Sequence, residues 1–103
     1  MLDKFQKTLG LAQRAGKCVT GEVLEFEIDK KRISLVLLAN DASERTKQEM
    51  YKRCQRANVD CIELLSKEEL SSAIGKFNRA AVGIADAGFS KLLKSYLKKT
   101  EVK

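Results

Sequence analysis

Apolar positions along this chain recur in two rhythms, one helical and one strand-like. Leu2, Phe5, Leu9 and Ala12 follow at steps of three and four, which predicts a helix from Leu2 to Ala15. Gly16 is placed to stop it, because glycine takes a left-handed backbone without penalty. Gly10, inside the helix, either weakens it or permits a close packing contact. Cys18-Val19 predicts a very short strand, and Thr20 offers a hydroxyl N-cap for a second helix near Gly21 to Lys30. The run Ile33 to Ala39 is continuous, apolar and rich in branched side chains, as in a strand buried on both faces.

Ser43 is the expected cap of a third helix that runs to about Ala57, with Met50, Cys54 and Ala57 on one face. Asp60 to Leu64 predicts a short strand. Ser66-Lys-Glu-Glu69 is a capping-box pattern, opening a helix to Ile74 that Gly75 ends. Lys76 to Arg79 reads as a loop and Ala80 to Ala85 as a strand of small residues. Asp86 caps a last helix with an apolar stripe of Phe89, Leu92, Leu93, Tyr96 and Leu97, and a frayed tail is expected from Lys98 to Lys103. Strands alternating with helices predict an α/β fold with a central, mostly parallel sheet covered on both faces.

Composition sharpens this picture. The 103 residues suit one domain, and 44% hydrophobic with 33% charged residues supports a packed core rather than disorder. The net charge of +6 favours polyanionic partners, although a lysine-rich soluble surface would look the same. The chain has no histidine, which removes the usual zinc partners, the commonest general base and the Ser-His or Cys-His nucleophile pairs. Cys18, Cys54 and Cys61 lack C-x-x-C spacing and read as dispersed, small buried residues of a reducing compartment. The start lacks the apolar stretch of a secretory signal and no apolar run reaches membrane-spanning length, so a cytoplasmic location is expected.

Two segments carry candidate chemistry. Arg14 to Glu22 contains Gly16, Lys17, Thr20 and Gly21 at the start of a helix, where free amides and the helix dipole favour phosphate. It lacks P-loop spacing, because Glu22 follows Gly21. An ordinary glycine stop followed by a helix cap would give the same residues. Ala73 to Arg79 sets Phe77 among Lys76, Asn78 and Arg79, the mixture that holds distorted or single-stranded RNA through stacking and phosphate contacts. The alternative is that Phe77 packs inward and the rest is solvated loop.

Other groups carry less. Asp41 and Ser43 lack a base or second carboxylate and suit capping better than catalysis. Cys18 beside Lys17 and Arg14 could be a thiol of lowered pKa, but it has no histidine partner. Arg45, Lys47, Lys52, Arg53 and Arg56 read as a solvated helix face or as the margin of an RNA footprint.

Several blocks in order resemble a known family. Leu9-Gly-Leu-Ala-Gln-Arg-Ala-Gly-Lys17, Thr20-Gly-Glu22, Leu35-Val-Leu-Leu-Ala-Asn-Asp-Ala-Ser43, Leu70, Ala73-Ile-Gly-Lys76 and Asp86-Ala-Gly-Phe89 are similar to the kink-turn-binding ribosomal-protein family, in its bacterial YlxQ-type subgroup. The resemblance implies a three-layer α/β/α sandwich around a mixed four-stranded sheet. It implies binding of a sharply bent RNA with tandem sheared G·A pairs, and no cofactor. It further implies structured RNA, ribosomal RNA included, as the partner of a monomer without membrane contact.

RNA contacts are expected at Gly16, Lys17, Thr20, Gly21 and Glu22 from the helix-start chemistry, with Gly21 matching the family's glycine; the resemblance adds Asp41 and Ser43, and Ile74, Lys76, Phe77, Asn78 and Arg79. The last group forms the loop that covers an extruded base. This chain departs from the pattern on the second helix. The position for asparagine falls at Val23, the position for lysine at Phe26 or Glu27, and the glutamate matches only Glu22 or Glu25 after a shift. The lost cation and added carboxylate oppose RNA affinity, so a protein-interaction module on the same fold is the alternative reading. A thiol or small-molecule enzyme is the weakest, because its catalytic partners are missing.

Overall fold

The computed structural model describes residues 2–101, although not the side chains of Leu2 and 98–101. The elements are α1 (Leu2–Arg14), β1 (Cys18–Val19), α2 (Glu22–Asp29), β2 (Leu35–Leu38), α3 (Glu44–Ala57), β3 (Asp60–Glu63), α4 (Lys67–Ala73), β4 (Ala81–Ile84) and α5 (Ala87–Glu101). Their order is the expected one. The expected fraying of 98–103 falls partly beyond the described residues: α5 continues to Glu101, and Val102 and Lys103 lie outside.

Local chemistry accounts for most boundaries. Ser43 Oγ accepts the Thr46 amide at 3.1 Å and opens α3. Ser66 and Glu69 form the reciprocal capping box on α4. Asp86 Oδ2 accepts the Phe89 amide at 2.8 Å at the start of α5. Asn58 ends α3 in the left-handed conformation, with φ 61°, which asparagine tolerates better than most residues.

β2 supplies the core. All four of its residues are buried, and successive side chains point to opposite faces. Leu35 and Leu37 join Phe5, Leu9, Leu70, Ile74 and Leu93 under α1, α4 and α5. Val36 and Leu38 join Leu24, Ile28, Met50 and Cys54 under α2 and α3. Each such burial contributes about 2 kcal/mol. Ala12 is buried as the apolar stripe of α1 requires, whereas Leu92 on α5 is 43% exposed and does not belong to the stripe expected there.

The sheet is mixed, in the order β1-β4-β2-β3, as the family resemblance implies. The mostly parallel sheet read from element alternation is corrected. Only β2 and β3 are parallel; β4 runs antiparallel to both β2 and β1. Helix length explains the difference. α3 has 14 residues, about 21 Å at 1.5 Å per residue, enough to carry the chain back to the start of a parallel neighbour. α4 has 7 residues, about 10 Å, and it leaves the chain at the end where β3 finished. β4 then starts from that end and runs back. The segment before β4 therefore lies at the same sheet end as the segments after β1 and β2.

Candidate functional site

Three connections meet at this sheet end: Thr20-Gly21, Asn40 to Ser43, and Ile74 to Ala80. Gly21 governs the first. Its φ of 73° and ψ of −152° belong to a region essentially reserved for glycine. This backbone makes Gly21 itself the N-cap of α2, with no side-chain capping bond. The expected Thr20 cap is thereby corrected: Thr20 lies one residue outside the helix. The first amides of α2 keep their capacity to bind an acceptor, and the helix dipole adds partial positive charge.

The third connection is held by Ser71. The Arg79 amide donates to Ser71 Oγ at 2.7 Å, and the hydroxyl donates to the Arg79 carbonyl at 3.2 Å. Gly75, with φ 69°, and Asn78, with φ 59°, supply the tight backbone between them. Phe77 is thrown outward and is 88% exposed. A concavity of about 470 Å³ lies between this loop and Lys67, Glu68, Ser71 and Ser72 of α4. Ile74 is 4% exposed and packs in the core. Its side chain anchors the loop from the core side.

The two segments singled out in the sequence meet in one groove. Gly21 and Glu22 line a space of about 330 Å³ together with Asn78 and Arg79. Arg79 Nε is buried there without an acceptor among the described residues. A buried guanidinium nitrogen lacking a partner is costly, and an incoming anionic or carbonyl oxygen would satisfy it. α3 completes the wall with Thr46 and Met50. These two escaped the sequence reading: Thr46 has no motif around it, and Met50 looked like an ordinary core position. Glu25 also lines the groove.

Gly16 and Lys17 are not part of this convergence. They precede β1, and the Lys17 carbonyl accepts the Ala85 amide at 2.8 Å beyond the other end of the β1–β4 pair. Asp41 and Ser43 lie at the correct sheet end but already have partners. Asp41 Oδ1 accepts the Lys67 amide at 2.8 Å, tying α4 to the end of β2, and Ser43 caps α3. Val23 and Phe26 stand 60% and 54% exposed on α2, with Lys30 Nζ 5.4 Å from the Phe26 ring centroid.

Cys18 and Cys61 are held as thiols, while a hydrogen bond from Cys61 and the Arg53 charge lower Cys54, which is buried beneath α3 and so closed to a substrate. Burial pushes the Cys18 thiol up to about 11, and its Sγ lies 3.8 Å from the Leu9 carbonyl. Cys54 and Cys61, dispersed in sequence, come together across α3 and β3. A thiol–thiol hydrogen bond, reinforced by burial, raises Cys61. Among the described residues no cluster of three or more metal-ligating side chains forms, and no helix is long and apolar enough to cross a membrane.

The ribosomal protein L7Ae/L30e/S12e/Gadd45 family matches residues 3–94. A protein of Enterococcus faecium named RNA-binding protein YlxQ is 41% identical over 95 residues, covering 91% of each chain. A protein of the same name from Bacillus subtilis (strain 168) is 41% identical over 90 residues, covering 86% of this chain and 90% of the relative. A solved structure of a Bacillus halodurans protein of unknown function superposes with TM-score 0.87 at 32% identity, covering 92% of this chain and 97% of that one. The Giardia lamblia 15.5kD RNA binding protein superposes with TM-score 0.75 at 15% identity, covering 93% of this chain and 83% of that one, and so speaks to the fold alone.

Proposed function

Since the chain belongs to the ribosomal protein L7Ae/L30e/S12e/Gadd45 family, we propose that it is a non-enzymatic RNA-binding protein that holds a kink-turn or a similarly bent RNA. Its curated relatives carry the name RNA-binding protein. The observation that carries the finer reading is the joint groove of Gly21, Glu22, Asn78 and Arg79. Residues far apart in sequence there present helix amides, an amide side chain and a guanidinium to one bound molecule.

In this reading the whole chain acts as one cytoplasmic, monomeric domain, and a ribosomal or other structured RNA enters across the sheet end. The amides at the start of α2 meet phosphate or base oxygens. Arg79 and Lys76 neutralise phosphates, and Phe77 offers its exposed ring to an unstacked base. The action is architectural: the protein stabilises the bent RNA by binding that shape more tightly than the extended one.

The test is a titration of the protein against a kink-turn RNA and a control with its tandem G·A pairs replaced, at two salt concentrations. The reading expects a preference of about tenfold or more for the kink-turn, since one good base contact is worth about 1–3 kcal/mol. Salt should weaken binding, and so should Lys76→Ala with Arg79→Ala. Equal, weak binding to both RNAs would reduce the interaction to general polyanion attraction.

One observation favours a second reading, a protein-interaction module with weakened kink-turn recognition. Val23 and Phe26 expose apolar surface on α2 beside Glu22 and Glu25, a face better suited to a protein than to phosphates. RNA binding indifferent to the G·A pairs, alongside tight binding to a ribosomal protein, would select it.

A further inference from the structure

A wider groove, of about 580 Å³, runs between α1 and the end of α4. Lys7, Leu11 and Arg14 stand along it at steps of four and three, so they form one stripe on α1. Leu11 is 50% exposed. Lys7 and Arg14 make no ion pair among the described residues, and no carboxylate lines the groove. By contrast, Arg45, Lys47 and Arg53 on α3 are engaged with carboxylates, and Lys52 and Arg56, which form no ion pair among the described residues, line a groove that also holds Glu25 and Glu49. The uncompensated cations of the α1 face thus mark it for a polyanion more clearly than the richer basic face of α3.

The groove also depends on one glycine. A Cβ at Gly10 would lie 3.2 Å from the Ala73 carbonyl oxygen. The close approach of α1 to α4 is accommodated by the missing side chain. At its far end the groove reaches Gly75, which also lines the concavity beside Phe77. A strand leaving that concavity past Gly75 meets no carboxylate among the residues lining the α1–α4 groove.

We propose that the α1–α4 groove is a second contact surface for the same RNA, holding the sugar-phosphate backbone of nucleotides that extend past the Gly75 loop. Lys7 and Arg14 neutralise phosphates, and Leu11 packs against the sugars between them. Both helices end near this groove, and helix C-termini carry partial negative charge, so the two cations must supply the attraction. This inference rests on the RNA-binding reading above and adds to it a footprint longer than the bend itself.

The experiment compares two RNAs with the full chain: a minimal kink-turn, and the same RNA carrying a single-stranded extension of roughly ten nucleotides, a length set by the site sizes of single-strand-binding grooves. The wild type should bind the extended RNA about tenfold more tightly. Lys7→Gln with Arg14→Gln should abolish that gain and lower the slope of log affinity against log salt by about 1.4, at roughly 0.7 for each single-strand phosphate contact. Thermal melting of the double variant should match the wild type, since Lys7 and Arg14 are both exposed. A wild type that binds both RNAs equally, or a variant that keeps the gain, would overturn this inference alone. Failure to bind either RNA would overturn the RNA reading together with it. If an acidic amphipathic peptide, and not the extension, perturbed the amide resonances of Lys7, Leu11 and Arg14, the groove would belong to a protein partner and the inference would fall.

Discussion

Ser71 holds both backbone polar groups of Arg79 through a single hydroxyl, accepting from its amide at 2.7 Å and donating to its carbonyl at 3.2 Å. Ser71 is buried, so water cannot readily replace these bonds. The loop that carries Phe77 outward is pinned at this point. Ser71→Ala should destabilise the protein by about 1–3 kcal/mol, the cost of leaving a buried backbone donor unpaired. Urea unfolding measures that loss. RNA affinity should fall even where the variant remains fully folded, because Arg79 loses its fixed position.

Gly21→Ala tests the α2 entrance. No atom lies within 4 Å of the Cβ it would add, so steric clash is not the issue. The expected cost of about 1–3 kcal/mol comes from backbone strain alone. Chemical denaturation gives the magnitude, and a shift of the Glu22 and Val23 amide resonances would show that the helix start has moved. RNA affinity should drop with it.

Gly83→Ala separates stability from binding. The added Cβ would lie 2.2 Å from Leu24 Cδ1, inside the packed face beneath α2. Overpacking of this kind typically costs about 1–3 kcal/mol. The melting temperature should fall clearly. RNA affinity, measured well below the melting transition, should change far less than in Gly21→Ala.

Alkylation reads the state of Cys18. Its thiol is raised from 9.0 to about 11 by burial, so at pH 8.5 the native thiolate fraction should be lower than in urea by roughly a hundredfold, and the rate with it. The folded state holds this proton more tightly than the unfolded state. The contribution to stability is therefore complete below pH 9.0 and is lost as the pH rises towards about 11. Rapid native labelling of Cys18 at pH 8.5 would contradict its burial.

Much of this architecture could be read along the chain because its signals are local. The Ser43 cap, the Ser66–Glu69 box and the apolar run of β2 each act through neighbours within a few residues. Strand direction could not be read in that way. Whether α4 returns the chain or leaves it in place depends on its length against the depth of the sheet, and alternation of helix and strand is the same in both cases. The misplaced Thr20 cap has a related cause, since the choice between Thr20 and Gly21 turns on one backbone angle. Ile74 is expected at the end of its helix and among the RNA-covering residues, and its burial follows from the packing of α1 and α4 onto the sheet. Thr46 and Met50 became part of the groove only through the distance α3 keeps from α2, which no spacing in the sequence encodes.

The sheet order β1-β4-β2-β3 also fixes a sequence of events during synthesis. β4 is made after the other three described strands, yet it takes a central place, between β1 and β2. Until it arrives, β1 has no neighbour, and the Gly21 turn has no fixed relation to the Asn78–Arg79 segment. A half-made chain therefore presents its lysines and arginines without the shape that would direct them to one RNA. The groove shared by Gly21 and Arg79 forms only once β4 has been made.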